Sequence, residues 1–282
     1  MFSEEHIRRL AVYYLACIIA VSAWMLWYGL TFFQTAPVFI FNKPDISGNL
    51  LWLFGIHKLL LHIDIFRLCL DVIYFLLPFF IVLSVRKNWK IAPLLALCTS
   101  LFVMVYAYLI SVTGFVSIEV FTAQMFFPLL FTSSGIRGKY YRLHILRLIF
   151  LLIFFSTAIW KIRAGGVFNI EQLSGILLRQ HAGILIEPSP TWFTHFLLYL
   201  IQHEYLSYSL YFFTVLLEFV FVIGFFTRRY DKVLILLFCV FIVFDYFLME
   251  INYFFWLPFL GCLYFSKYDE PELEIKTKTV AN

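Results

Sequence analysis

The stretch that decides the fold is residues 145–162, which read ILRLIFLLIFFSTAIWKI. It is apolar except for a few residues, among them Arg147 near its start and Lys161 near its end. A run of this length is long enough to cross the hydrocarbon core of a bilayer as one helix. A charge in such a helix is costly unless it has a partner or a function. Lys161, beside Trp160 and Arg163, therefore indicates the functional end of the chain.

The composition of the whole chain points to the same class of protein. The 282 residues are 63% hydrophobic and only 13% charged, and the mean hydropathy is +0.90. Soluble domains carry about 25% charged residues, so the class that fits is an all-α, polytopic helical bundle in the lipid bilayer. No segment is polar enough for a separate soluble domain. We expect one domain over residues 1–265 and a charged cytoplasmic tail over residues 266–282.

Hydrophobic length predicts eight membrane-spanning helices, or seven if one short segment does not cross. The fourth and eighth are shorter than the ~20 residues that a perpendicular helix needs. Segments 48–66 and 191–205 have apolar residues near helical spacing without the length to span, which predicts two interfacial helices on the outer face. The predicted spans are 10–33, 67–85, 91–114, 117–132, 145–162, 206–226, 233–249 and 251–265.

The distribution of basic residues predicts the orientation of the chain. With the N-terminus in the cytoplasm, only six of the 21 lysines and arginines fall in outer segments. The alternation holds at every loop, so we expect both termini in the cytoplasm and the long connections 34–66 and 163–205 outside. The net charge of +4 is spread along the chain. Orientation accounts for it better than a nucleic-acid partner does.

Two acidic residues inside the spans are candidates for function. Glu218 lies near the middle of the sixth span with no basic residue on its own helix, and Asp245 lies in the seventh. An acidic residue at mid-span costs about 2.5–3.5 kcal/mol. Lys161 would neutralise either carboxylate. Glu218 is either a proton-handling or ligand-binding group in a polar cavity, or a protonated carboxyl bonded to a neighbouring helix.

Other polar residues fit structural roles. Asp71 follows Arg67 by four positions, which predicts an ion pair on one helix. Arg147 is interpreted as one of the basic residues that orient the chain at the inner face. His195 has its nearest histidine eight positions away and no spacing typical of metal ligands, so no metal site is expected. The five cysteines lie in apolar runs without C-x-x-C spacing, which favours free thiols.

The order of motifs between residues 154 and 256 is similar to that of a known family. An apolar helix ends in lysine and is followed by paired glycines, then by a span with Leu-Leu-Glu, two arginines, a span with Phe-Asp, and an aromatic run. This order resembles the transmembrane domain shared by vitamin K-dependent gamma-carboxylase and its bacterial relatives, the horizontally transferred transmembrane domain (HTTM) family. The motifs are residues 154–162, 165–166, 216–218, 228–229, 244–245 and 252–256.

The resemblance implies a fold, a location and a chemistry. It implies that Lys161 is the base in reduced-quinone chemistry and that Glu218 is the acidic residue of the following span. The family often has Phe-His where this chain has Phe244-Asp245, so a histidine role is lost or replaced. Some bacterial members of similar length are linked to the maturation or export of a secreted peptide toxin. A bacterial inner (plasma) membrane is therefore the expected location.

Two functions of different classes follow. In the first, the chain is a membrane enzyme for a quinone or another lipidic substrate. Lys161 transfers a proton, Glu218 and Asp245 orient the substrate or relay protons, and Trp160, Arg163 and His195 bind the substrate. In the second, the chain is a non-enzymatic partner that matures or exports a secreted peptide, which binds to the amphipathic outer segments. A small transporter is favoured least, because no inverted repeat is visible.

Overall fold

The computed structural model describes residues 1–35, 49, 52–112 and 117–271. Every regular element in these ranges is helical, which confirms the predicted all-α class. The α-helices are α1 (Glu4–Trp27), α2 (Ile56–His62), α3 (Asp64–Arg86), α4 (Ala92–Val112), α5 (Thr122–Phe126), α6 (Ile136–Arg163), α7 (Gln172–Gln180), α8 (Ala182–Leu185), α9 (Trp192–Gln202), α10 (Glu204–Val220), α11 (Ile223–Phe226), α12 (Asp231–Met249) and α13 (Pro258–Phe265).

Six helices in the described ranges are long and apolar enough to cross a membrane. They correspond to the first, second, third, fifth, sixth and seventh predicted spans. The fourth and eighth correspond to the shorter apolar segments Ile118–Thr132 and Phe254–Phe265. The six long helices are Glu4–Trp27, Asp64–Arg86, Ala92–Val112, Ile136–Arg163, Glu204–Phe226 and Asp231–Met249.

Both predicted interfacial segments contain helices. The first holds α2, and the segment 36–48 and residues 50–51 lie outside the described residues. The second holds α9, which begins where the Thr191 hydroxyl accepts a hydrogen bond from the Thr194 amide at 3.2 Å, as expected of an N-cap threonine. Their placement at the membrane surface stays a prediction. Residues 272–282, most of the predicted tail, are also outside the described part of the chain.

The chain forms two compact units, one of Met1–Leu146 with Phe265–Asn282 and one of Arg147–Tyr264. The expectation of one domain over residues 1–265 stays a prediction. In the first unit, α3 packs against α1 and α4. The buried Asp71 carboxylate of α3 accepts hydrogen bonds from the amides of Phe32 and Phe33 at 3.2 and 2.9 Å. It also accepts one from the Tyr106 hydroxyl of α4 at 2.9 Å.

The predicted ion pair between Arg67 and Asp71 is wrong. Arg67 instead pairs with Asp64, three positions earlier at the start of α3. Asp71 points into the unit, where three donors from other segments satisfy it. Spacing along one helix does not reveal donors from other segments, and those donors decide the partner of Asp71.

In the second unit, phenylalanine rings packed in tilted and edge-to-face pairs hold α6 against the later helices. The Phe154 ring lies 4.3 Å from Phe221 and 4.8 Å from Phe241, measured between ring centres. The Phe150 ring meets Phe238 edge to face at 5.1 Å. Aromatic pairs at these separations stabilise packing beyond the apolar area they bury. They fix the register of α6, and Lys161 therefore has a defined position near the end of that helix.

Arg147 has a structural role that orientation does not account for. Its guanidinium group forms two bonds with the Asp231 carboxylate, Nε to Oδ2 at 2.8 Å and Nη2 to Oδ1 at 2.6 Å. Nη2 also donates to the Gly224 carbonyl at 2.8 Å. Both charged side chains are almost completely buried. Arg147 therefore joins α6 to α11 and α12 as a buried cation that is paired with Asp231. Its interpretation as an orienting charge did not include this role.

Candidate functional site

A cavity of about 300 Å³ lies within the second unit. Its wall is formed by the end of α6, by α7, α10 and α12, and by the chain that follows α12. Most of the lining is apolar or aromatic, and polar groups enter from Lys161, Tyr211, Thr214 and Asp245. Ligand sites in proteins typically combine such a wall with a few converging polar groups.

Lys161 and Glu218 form an ion pair at this cavity. Lys161 Nζ donates to Glu218 Oε1 at 2.7 Å. The side chain of Glu218 is only 2% exposed, whereas that of Lys161 is 30% exposed. Thr157, one turn earlier on α6, adds a polar interaction with the same carboxylate. The pairing that charge compensation predicts is therefore present, with Lys161 on the cavity wall and Glu218 behind it.

Asp245 completes a cluster of three charged groups. It is 7% exposed and lines the cavity from α12, and the charges of both Lys161 and Glu218 act on it. No described residue donates a hydrogen bond to its carboxylate. A buried carboxylate that faces a cavity without a protein donor can accept a hydrogen bond from a ligand.

Two glycines follow α6, and the second of them, Gly166, lines the cavity. Gly165 has φ +80°, the left-handed conformation that commonly follows the end of a helix. A Cβ atom on Gly166 would lie 2.5 Å from the Tyr211 hydroxyl. The absent side chain therefore makes room for Tyr211, which lies two turns before Glu218 on the same face of α10.

The end of α12 is fixed by a histidine that the sequence analysis did not single out. His181 is buried, and its Nε2 lies 2.9 Å from the Leu248 carbonyl oxygen. Its Nδ1 lies 3.2 Å from Glu250 Oε1, and Glu250 itself has φ +53°. A lone histidine in a connecting segment has no neighbouring pattern in the sequence that would indicate these contacts.

The predicted site residues are brought together only in part. Trp160 joins Lys161 and Asp245 on the cavity wall. Arg163 stacks its guanidinium group over the Trp160 ring at 5.7 Å and does not line the cavity. His195 is exposed on α9 and is also away from the lining. The roles assigned to these residues stay predictions.

Sequence reasoning missed several residues of the lining. Tyr211 and Thr214 lie in a span in which aromatic and small polar residues are typical of packing, so nothing marked them. The weak signal was their spacing, since residues 211, 214 and 218 share one face of α10. Gln172 and Tyr253 also line the cavity; Tyr253 belongs to the aromatic run of the family resemblance.

The arrangement can bind an amphiphilic molecule and exchange a proton with it. Apolar walls suit a ring or the start of a hydrocarbon chain, while an ammonium group and a carboxylate suit a hydroxyl or carbonyl headgroup. The volume accommodates such a headgroup and not a long isoprenoid tail. No cluster of three or more histidine, cysteine, aspartate or glutamate residues suited to a metal occurs in the described ranges. Comparison of the chain with protein-family models, characterised proteins and solved structures gives no match.

Proposed function

We propose that the chain is an integral membrane enzyme of the HTTM type that binds the headgroup of a lipidic substrate and exchanges a proton with it through Lys161. A reduced quinone is the leading substrate class. The observation that carries the proposal is the Lys161–Glu218 ion pair at the wall of a largely apolar cavity. Asp245, which faces the same cavity, supplies a third charge.

The charges of the cluster favour proton transfer. With all three groups ionised, one positive charge faces two negative charges, so the cluster is one proton short of neutrality. A net charge in a low-dielectric site is costly, so a proton held by the cluster stabilises it. Lys161 and Asp245 reach the cavity wall, so a bound hydroxyl can supply that proton.

The residues have distinct roles in this proposal. Lys161 first passes its ammonium proton to the Asp245 carboxylate. The amine that forms accepts the proton as the substrate O–H bond breaks, and the ammonium group that results stabilises the substrate oxygen anion. Glu218 holds that ammonium group in place through the 2.7 Å bond. Asp245 orients the substrate hydroxyl or relays the proton onward, because its carboxylate has no described protein donor.

The test uses a short-chain naphthoquinol as the probe and the variant Lys161→Met/Glu218→Gln. This double change removes both charges of the pair together, so neither Lys161 nor Glu218 is left as an uncompensated ion, and Asp245 stays as the acidic group at the cavity wall. We expect the wild-type protein in detergent to bind the quinol and to lower the pH of a weakly buffered solution, because Asp245 relays a proton to the solvent. The double variant should lose the pH change and bind at least about tenfold more weakly, which is ~1.4 kcal/mol.

The control is Arg163→Gln, which changes a nearby cation outside the cavity lining. It should keep the pH change. If the double variant exchanges protons as the wild type does, the role of Lys161 is wrong. If the wild type does not bind the quinol, the substrate class is wrong.

A second function, a non-enzymatic partner for a secreted peptide, is favoured by one observation. Phe168, Ile186 and Trp192 are each about 80% exposed in the segment predicted to face outside. A contiguous apolar surface is typical of a binding site, and these three side chains supply apolar groups to which a peptide can bind. Replacing all three by serine should abolish maturation or export of the peptide if this function is correct, while Lys161→Met/Glu218→Gln should leave it unchanged.

A further inference from the structure

A second cavity, of about 680 Å³, lies in the first unit beside the start of α1 and the end of α3. Three guanidinium groups line it, those of Arg8, Arg9 and Arg86, with a single carboxylate from Glu5. Residues 5, 8, 9 and 12 share one face of α1 because they are separated by three, four and seven positions. We call this surface the arginine groove.

The arginine groove has more positive charge than its own residues neutralise. Arg9 Nε donates to Glu5 Oε1 at 3.1 Å. Neither Arg8 nor Arg86 pairs with a carboxylate of any described residue. The Nε atom of Arg8 is buried and has no hydrogen-bond acceptor within the described ranges. A buried donor without an acceptor is unfavourable, so the groove is short of an anionic acceptor.

The position of the groove selects the kind of anion. It lies at the ends of two helices long and apolar enough to cross a membrane, which is the level of lipid headgroups. Val12 lines the groove on its apolar side, and Ile19, two turns further along α1, is 59% exposed. An acyl chain can follow this apolar surface, whereas a free phosphate ion gains nothing from it.

We propose that the arginine groove binds the phosphate headgroup of an anionic phospholipid. Guanidinium groups bind phosphate oxygens in pairs of parallel hydrogen bonds. Basic pockets between membrane helices on the cytoplasmic side bind anionic headgroups, and the predicted orientation places both helix ends on that side. The site is separate from the cavity at Lys161, so it does not depend on the proposed enzyme function.

The test measures lipid binding to the purified protein by native mass spectrometry in an uncharged detergent. The probes are phosphatidylglycerol, phosphatidylcholine and inorganic phosphate. We expect the wild-type protein to retain phosphatidylglycerol in preference to phosphatidylcholine, and inorganic phosphate not to displace it at the same concentration. Arg8→Gln/Arg86→Gln should weaken the binding of phosphatidylglycerol roughly thirtyfold.

Two further variants separate a loss of lipid binding from misfolding and from a general loss of positive charge. Arg86→Gln alone changes an exposed side chain at the end of a helix, so it should fold normally and still weaken binding by about fivefold. Arg179→Gln/Lys232→Gln removes two exposed cations outside the groove and should bind as the wild type does. Equal retention of phosphatidylglycerol by the wild type and the Arg86→Gln variant would overturn the proposal. Displacement by inorganic phosphate would also overturn it, in favour of a free-phosphate site.

Discussion

At the scale of single residues, Glu218 is the group whose position constrains the site most. It is almost fully buried in a span and depends on Lys161 for its neutralising charge. Lys161 depends less on Glu218 to compensate its charge, because nearly a third of the Lys161 side chain is exposed. Removing one partner of a buried pair leaves the other charge uncompensated, and that loss exceeds the net contribution of the pair itself.

This difference in burial between Glu218 and Lys161 predicts how variants of the pair change the free energy of unfolding. Lys161→Met should lower the free energy of unfolding by about 3 kcal/mol, because it leaves the Glu218 carboxylate buried alone. Lys161→Met/Glu218→Gln should recover most of that loss. The measurement is unfolding in mixed micelles, analysed as a double-mutant cycle. Additive losses from the two single changes would contradict the ion pair.

A second residue-scale prediction concerns the room that Gly166 leaves for Tyr211. Gly166→Ala places a Cβ atom 2.5 Å from the Tyr211 hydroxyl, which should lower the free energy of unfolding by about 1–3 kcal/mol. Gly166→Ala/Tyr211→Phe should recover part of this loss, since the hydroxyl is removed. Thermal unfolding of the wild type and of these two variants checks the prediction.

The matched control for this prediction is Gly175→Ala in α7. A Cβ atom there meets nothing within 4 Å, and alanine is favoured over glycine inside a helix by about 1 kcal/mol. The control should therefore be neutral or stabilising. If Gly166→Ala left the free energy of unfolding unchanged, the close contact between residue 166 and Tyr211 would not limit the residue at that position.

At the scale of elements, Asp71 connects three segments of the first unit. Its carboxylate accepts from the chain that follows α1 and from α4, although it belongs to α3. Asp71→Asn replaces one acceptor oxygen by a donor and should lower the free energy of unfolding by about 2 kcal/mol. The measurement is unfolding in mixed micelles.

The control is Asp64→Asn, which removes the exposed carboxylate that pairs with Arg67. Exposed ion pairs contribute about 0–1 kcal/mol, so the control should have little effect. If Asp64→Asn destabilised the protein as much as Asp71→Asn, the ranking of the two carboxylates would be wrong.

The helices could be predicted because hydrophobic length is a local property of the sequence. Contacts could be predicted only where a charge inside a span needs an opposite charge. Hydrophobic length is a property of one segment, so the six long helices were found from it. The Lys161–Glu218 pair was predictable because a carboxylate at mid-span requires a cation. The partners of Asp71 and Arg147 were missed because they come from distant segments of the chain. Tyr211 and Thr214 were missed because their side chains carry no charge, so nothing in the sequence requires a partner for them.

At the scale of the whole molecule, whether Ile118–Thr132 crosses the membrane decides on which side the Lys161 cavity opens. In the part of the chain that the structure describes, Ile118–Thr132 and Phe254–Phe265 are the two shorter apolar segments. If both cross, eight crossings place residues 133–135 in the cytoplasm and residues 164–203 outside. If neither crosses, these two regions exchange sides, while both termini stay in the cytoplasm. The basic residues Arg137, Lys139 and Arg142 favour eight crossings.

Labelling of single cysteines with a membrane-impermeant maleimide distinguishes the two arrangements. In a protein whose five native cysteines are replaced by alanine, we expect Glu187→Cys to react in intact cells and Ser134→Cys to react only after lysis. Both positions are exposed, so access to the reagent is limited by the membrane and not by packing. The reverse pattern would show that Ile118–Thr132 does not cross the membrane and would place the Lys161 end of α6 in the cytoplasm. A quinol or peptide handled at the outer face would then be excluded, because the charged cluster would open toward the other side.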